Sequence, residues 1–558
     1  MSWNGMHVIV MTALLFSVVG VRAADDSQLR NSEAADEAEK AKTNEIADQI
    51  FYREAKFVQD LKPLTPMVET YIQDMKGNEE LGHVPSSDKY FIGRLVMKKG
   101  IENVSFQKNS SSILQKLDSF YKMNYDAAGF MQMIYIPGFD KNNYELKYLH
   151  QEFLGEIRTL VFEVAPKPKV KGAHFLGRIW VEDQDYTIVR FNGTYLPQRR
   201  FNFYFHFDAW RINARPGIWV PAFIYNEESD ARYALFRRLA MRSQTRLWGY
   251  NLRVTADEDE FTAVRVDPTS DISDQTESAN EIVPIESVHK WERQAEDDVL
   301  DRLQRAGLLA PDGEVSKVLQ TVINNLEITN KLEIQPEVRG RVLLTTPLES
   351  FTVGHTIVVS RGLLDVLPDE PSLAMVLAHE LGHIALGHTL DTKYAFGDRM
   401  VFPDEEAFSR IQLARDAHEE EEADKKALEF LQNSPYKGKL ASAGLFLRAL
   451  ETRSRELPSL ITPQFGSRMA KKDSVLRMSS LLQSAPTLQM TNINQVAALP
   501  LGSRIKLDPW DDHVELEKSK PAALQSVRDK MAFEVTPMIP HLARYRGSQV
   551  ADATANGK

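Results

Sequence analysis

Residues 371–388 read PSLAMVLAHELGHIALGH, and inside them lies the pentapeptide HELGH (379–383). Pro371 suits the first turn of a helix, where its missing N–H would have had no partner anyway. The run SLAMVLA that follows carries no charge, which predicts a buried helix leading into the motif. On that helix His379 and His383 stand one turn apart and face the same way. Two imidazoles so placed can bind one zinc ion at about 2.0–2.1 Å. Glu380 falls on the adjacent face, within reach of a metal-bound water. Zinc lowers the pKa of that water from about 16 to about 7, and a carboxylate then takes its proton as it attacks a polarised carbonyl. The blander alternative is two core histidines, but burying two imidazoles and a carboxylate without purpose is costly.

A catalytic zinc needs a third protein ligand and an open fourth position. The next helical stretch, DAHEEEEADKKALEFL, offers four consecutive glutamates. A solvated acidic face is the default for such a run, and residue types alone leave Glu419, Glu420, Glu421 and Glu422 open. His388 is off the His379/His383 face and reads as structural, and His418, two residues before Glu420, points away from any site that Glu420 serves.

HELGHIALGH followed by EEEAD at 420–424 resembles the gluzincin zinc metallopeptidases, the family of HtpX, the CAAX-prenyl endopeptidases and BepA (peptidase family M48). SFTVGHTIVVSRGLL (350–364) is similar to that family's strand and lead-in to the metal helix. The resemblance spans about residues 300–485. It implies Glu420 as third zinc ligand and Asp424 as a hydrogen-bond partner that orients a ligand histidine. It also implies that Phe351, Thr352, Val353 and Gly354 form an edge strand that pairs with an extended substrate through its main chain. Many relatives carry a His-Pro pair followed, six residues after the His, by Arg. Here the stretch is TPQFGSRM, with Thr462 in the place of the His and Arg468 keeping the Arg. That departure leaves the oxyanion donor unassigned.

Upstream the period changes to two. In FNFYFHFDAW, Phe201, Phe203, Phe205 and Phe207 alternate with polar residues, which puts four rings on one face of a strand. GRIWVEDQDYTIVRFNG reads as two strands joined by a polar turn, and NARPG (213–217) as another turn. This pattern resembles the half-barrel of lipoprotein-sorting carriers of the LolA type. Residues 45–75 have helical spacing. Residues 267–287 are acidic and turn-rich, as a linker would be.

The expected fold is therefore multidomain α+β: an N-terminal β-rich, half-barrel-like domain, then a mainly α zincin-type peptidase domain with a small edge sheet. The divisions are a signal peptide 1–23, a polar leader and helical segment 24–87, a β-rich accessory domain 88–262, a linker 263–287, a zinc metallopeptidase domain 288–485 and a C-terminal extension 486–558. Within the peptidase domain helices are expected at 313–330, 371–388, 405–432, 437–454 and 467–483.

The apolar run VIVMTALLFSVVGV (8–21) is too short for a typical span and fits a signal-peptide core, with Val21 and Ala23 at the cleavage positions. The expected address is a bacterial periplasm, with an uncleaved N-terminal membrane anchor as the alternative and no integral span after it. The chain has no cysteine, so disulfides and thiolate ligands are excluded and any metal must sit on His and carboxylates. The net charge of −11 argues against a nucleic-acid partner.

The function that follows is an exported endopeptidase with one Zn²⁺ per chain. It would act on protein or peptide substrates, unfolded or misassembled ones above all, with peripheral outer-membrane or lipoprotein association as a further expected partner. The alternatives are a non-catalytic chaperone or lipoprotein carrier with a degenerate peptidase domain, and a metal-dependent hydrolase of a non-peptide bond.

Overall fold

The computed structural model describes residues 41–78, 82–96, 102–105, 133–168, 170–196, 206–233, 237–250, 297–388 and 413–489, with short pieces at 505–507, 514–516, 533, 535 and 541–545. The signal peptide, the linker, Phe201, Phe203, Phe205 and most of the C-terminal extension lie outside these residues.

The N-terminal half is helix α1 (41–61) and one open antiparallel sheet of ten strands. The strands are β1 (Met67–Asn78), β2 (Gly82–Val96), β3 (Glu102–Ser105), β4 (Tyr144–Leu154) and β5 (Ile157–Pro166). They continue with β6 (His174–Glu182), β7 (Ile188–Leu196), β8 (Phe207–Arg215), β9 (Ile218–Tyr233) and β10 (Arg237–Trp248). Their spatial order is β3-β2-β1-β10-β9-β8-β7-β6-β5-β4. The meander from β4 to β10 thus closes back on β1, where Met67 faces Trp248.

The helical spacing of 45–75 holds only as far as residue 61. Pro63 and Pro66 end the helix, because neither can donate to it. From Met67 the alternation of Met67, Glu69, Tyr71 and Gln73 with Val68, Thr70 and Ile72 runs as strand β1 in the middle of the sheet.

Both faces of the sheet are covered, which is why β7, IVRFNGTYL, is buried along nearly its whole length. On one face α1 packs Ile50, Phe57 and Leu61 onto Phe175, Phe191, Tyr195 and Phe207. Those four rings touch one another, with centroids 5.5–6.1 Å apart. The other face, with Tyr71, Tyr90, Trp180, Trp210 and Tyr225, is continuous with the core of the C-terminal half.

That half holds helices α2 (297–305), α3 (Glu314–Asn330), α4 (Arg361–Val366), α5 (Glu370–Ala385), α6 (Ala417–Gln432) and α7 (Leu440–Arg453). Its small sheet has β11 (Arg339–Leu343), β12 (Ser350–Val353) and β13 (Thr356–Ser360) in the order β11-β13-β12. β12 is an edge strand. Gly354 is not part of it: φ is +56° there, so it opens the turn to β13. The helix expected over 467–483 is a tight turn with Lys472 and Asp473 at positive φ, followed by a short 3₁₀ segment, Ser479–Gln483.

Two buried carboxylates of the large sheet cap main-chain N–H groups of the C-terminal half. Glu69 accepts from Thr346 N (2.6 Å), and Asp88 accepts from Ser459 N (2.8 Å) and Leu460 N (2.7 Å). Leu460 O in turn accepts from Leu348 N, two residues before β12. The large sheet therefore grips both loops that flank the small sheet's edge. Among the described residues no helix is long and apolar enough to cross a membrane.

Candidate metal centre

Two helices build the centre. α5 starts at Asp369, whose side chain accepts from Ser372 N, with a proline in its first turn. Every residue from Pro371 to His383 is buried, as the uncharged approach demands. α6 starts at Asp416, whose carboxylate accepts from His418 N (2.8 Å) and Glu419 N (2.9 Å). The helices meet at two small residues. A Cβ on Gly382 would stand 2.9 Å from Ala423 O, so only glycine lets α6 come this close. Glu420 and Asp424 flank Ala423 and are carried against the histidines.

His379 Nε2 lies 3.2 Å from His383 Nε2 and 3.2 Å from Glu420 Oε2; His383 Nε2 lies 4.0 Å from Glu420 Oε1. The three donor atoms fall within 4.8 Å of one another. Ligands at about 2.0–2.1 Å around one tetrahedral ion sit about 3.3 Å apart, so two of the three spacings match and the third, at 4.0 Å, is wider. The four glutamates part company. Glu419 turns to Arg415, Glu420 to the histidines, Glu421 to Lys425, and Glu422 to His388 and His418.

The outer nitrogens of both histidines are held, so the inner ones face each other. His379 Nδ1 bonds Asp424 Oδ1 at 2.7 Å, and Asp424 Oδ2 accepts from Met478 N at 2.7 Å. His383 Nδ1 lies 2.9 Å from His388 Nδ1, and His388 Nε2 lies 3.5 Å from Glu422. His388, which the sequence presents as structural, thus orients His383. His418 is exposed and pairs with Glu422 at 3.2 Å.

Glu380 is buried, and its Oε1 accepts from Ser350 Oγ (2.7 Å) and Arg477 Nη1 (3.0 Å). Arg477 is buried as well and forks onto Glu420 through Nε (2.8 Å) and Nη2 (3.2 Å). This guanidinium is the residue that the sequence pattern does not reveal. Arg468, which the family spacing selects, is exposed, and the exposed Thr462 gives its hydroxyl to Pro458 O. Counted back six from Arg477, the His position falls on Lys471, in the turn where the spacing predicts helix. With a lysine there in place of a histidine, the family spacing gives no signal for Arg477.

Burial works against charge on both histidines, and for His383 it wins: burial and the neighbouring His379 hold it far down, at about 2. His379 ends above its usual value in spite of burial, because Asp424 and Glu420 accept from it. Burial would raise Glu420, but Arg477 and His379 hold its carboxyl well below the usual range. Three carboxylates, Glu380, Glu420 and Asp424, therefore share the centre with the Arg477 guanidinium and a histidine pair, while the Arg415 guanidinium nearby pairs with Glu419. The nitrogen and oxygen donors and the excess of negative charge fit a divalent cation such as zinc.

β12 lies beside this cluster. Ser350 O accepts from Arg477 Nη1 at 3.3 Å, and a Cβ on Gly466 would stand 2.8 Å from the same oxygen. Phe351, Thr352 and Val353 are buried, and Thr352 Oγ1 accepts from Arg415 at 3.1 Å.

Comparison with known proteins gives the C-terminal half its kinship. Residues 310–490 match the model of peptidase family M48. The M48 segment is about a third of the chain and contains the whole cluster. The match supports a metallopeptidase-type function for that segment. No curated protein matches the chain. One solved structure that matches is a DUF1329 family protein from Desulfovibrio piger, 12% identical, over 38% of this chain and 94% of that one, with a TM-score of 0.20.

Proposed function

We propose that the protein is an exported zinc-dependent endopeptidase, periplasmic in a bacterium, that hydrolyses peptide bonds of unfolded or misassembled proteins. The single observation that carries this reading is the donor set His379 Nε2, His383 Nε2 and Glu420, locked by Asp424 and His388 and placed inside the M48 segment. One zinc ion held there would supply Lewis acidity to a bound water and to the scissile carbonyl. Glu380 acts as the proton acceptor. Ser350 and Arg477 fix its Oε1, which leaves Oε2 to receive the proton from water and later to return it to the leaving amine. Arg477 also fixes Glu420, so one guanidinium positions both the base and a ligand carboxylate. β12 borders the cluster as an edge strand, where an extended chain can pair by its main chain, largely regardless of sequence.

The rival reading, a zinc-keeping chaperone or carrier without turnover, draws support from Arg477, which already occupies one oxygen of Glu380. Casein cleavage by the purified protein separates the two. Glu380→Gln keeps the contacts through Oε1 but removes the acceptor, so zinc content should stay and cleavage should fall by about 10²–10⁴-fold. Equal cleavage by both proteins would sink the mechanism, and none by either would favour the rival.

A further inference from the structure

The edge strand that borders the metal cluster is itself covered. Every residue of β12 is at most 2% exposed, as are His379, Glu380 and His383. The space beside His379, lined by Ser350, Met469 and Arg477 among others, is about 10 Å³, barely the room of one water molecule. An extended peptide does not fit into it.

The strand register identifies the cover. Ser360 N donates to Glu349 O, so the main chain of Glu349 points toward β13. Along an antiparallel strand that direction alternates. Phe351 and Val353 therefore also turn their main chains to β13, while Leu348, Ser350 and Thr352 turn theirs to the free edge. Residues 460–467 run beside that edge. Leu348 N donates to Leu460 O at 2.8 Å. Gly466 comes so near that a Cβ on it would stand 2.8 Å from Ser350 O and 3.2 Å from Phe351 Cβ. The Phe465 ring lies 6.1 Å from that of Phe351.

Few ties hold this segment down. Asp88 of the large sheet fixes its start through Ser459 N and Leu460 N. Glu349, directly before β12, clasps its far end: Oε2 accepts from Phe465 N at 2.9 Å and from Gly466 N at 3.3 Å. Leu413 N donates to Phe465 O at 3.1 Å, and Arg415 N donates to Ser467 Oγ at 2.9 Å. None of these four residues from Leu413 to Ser467 lies in a helix or strand, so the segment can lift without unwinding either. We infer that residues 460–467 are an autoinhibitory strap with Glu349 as its clasp. Closed, the strap shuts the free edge of β12; lifted, it releases the N–H and C=O groups of Ser350 and Thr352 to an incoming chain. The inference rests on the reading of β12 as the substrate edge. Apparent affinity for a peptide then scales with the fraction of molecules whose strap is open.

Two substitutions open the strap by different routes. Gly466→Ala wedges it from Ser350 O, and Glu349→Ala removes the clasp. Each is made alone and also with Glu380→Gln, so that turnover does not consume the probe. Anisotropy of a fluorescein-labelled casein peptide reads binding, and the chains with Glu380 intact are assayed for casein cleavage. Both variants should bind the peptide about tenfold more tightly and cleave casein faster than the parent, with an unchanged circular-dichroism spectrum. Simple loss of packing would lower both readouts instead. A folded Gly466→Ala or Glu349→Ala chain that binds no better than the parent overturns the strap, and so does unfolding of both variants, which would make the segment part of the core. Cleavage by the parent that neither variant raises means that the strap fails and the endopeptidase reading stands. Tighter binding without cleavage by any chain means the reverse.

Discussion

In the large sheet each of two buried guanidinium groups meets one carboxylate; around His379 one guanidinium faces three. Arg211 forks onto Glu54 with two bonds of 2.7 Å and stacks on Phe57, 3.7 Å from the ring centroid. Arg190 forks onto Asp208 at 2.8 and 3.0 Å between Trp180 and Trp210. Each of these pairs balances its own charge. The cluster on α5 and α6 is left with surplus negative charge in a buried place, which is costly unless a cation or a proton supplies the balance. The count of carboxylates per guanidinium, rather than burial itself, separates a structural ion pair from a site.

The comparison breaks most visibly in the sheet. Arg211→Met leaves the Glu54 carboxylate buried and alone, and should cost about 3–5 kcal/mol in urea unfolding. Arg211→Met combined with Glu54→Met should recover most of the loss, since a matched pair can be exchanged for packing as a unit. A single variant within about 1 kcal/mol of the parent would show that the fork is not a closed unit.

Glu349, beside Ser350, is a third kind of buried carboxylate. It has Phe465 N at 2.9 Å, Gly466 N at 3.3 Å and Thr345 Oγ1 at 3.2 Å, and no guanidinium among its bonding partners. Burial raises it to about 7, more than its hydrogen-bond donors lower it. A raised carboxylate binds a proton in the folded chain that the unfolded chain has released. Stability should therefore fall as pH rises from about 4.5 to about 7, by on the order of 3 kcal/mol from this residue. Glu349→Gln should flatten that slope in melting curves taken across the window. An unchanged slope would mean that the balance comes from elsewhere.

These charge balances are unequally legible in the sequence. His379, Glu380 and His383 lie on one helix, where spacing alone sets direction, so their shared face can be read from the residues themselves. The glutamate run cannot be resolved by residue type, because its members differ only in the direction each takes from α6; the family resemblance names Glu420. Arg477 is hidden because it reaches the cluster from a turn with two positive-φ residues whose spacing mimics a helix. β1 reads as helix because its apolar positions satisfy both periods at once; only Pro63 and Pro66 argue otherwise. A fragment of residues 88–262 would accordingly lack the strand that joins β2 to β10.

Within the centre the two histidine partners can be set against each other. Asp424 offers a carboxylate to His379 at 2.7 Å, and an anionic acceptor strengthens a ligand imidazole. Asp424→Ala should weaken zinc by about 10–100-fold in a competition titration with a chelating dye. Zinc affinity equal to that of the parent would remove Asp424 from the centre.

The smallest effect belongs to His388. If His383 Nε2 holds the metal, its Nδ1 must carry the proton, so His388 Nδ1 accepts and His388 Nε2 turns its own proton toward Glu422. The acceptor here is a neutral ring backed by a half-exposed carboxylate, weaker than the direct carboxylate at His379. The His388 side chain is also 11% exposed, so water can take over part of its role. His388→Leu should therefore lower zinc affinity by less than about tenfold in the same titration. A loss as large as that of Asp424→Ala would mean that the two histidines are held with equal force, and that the charge of the partner does not set the strength of the ligand.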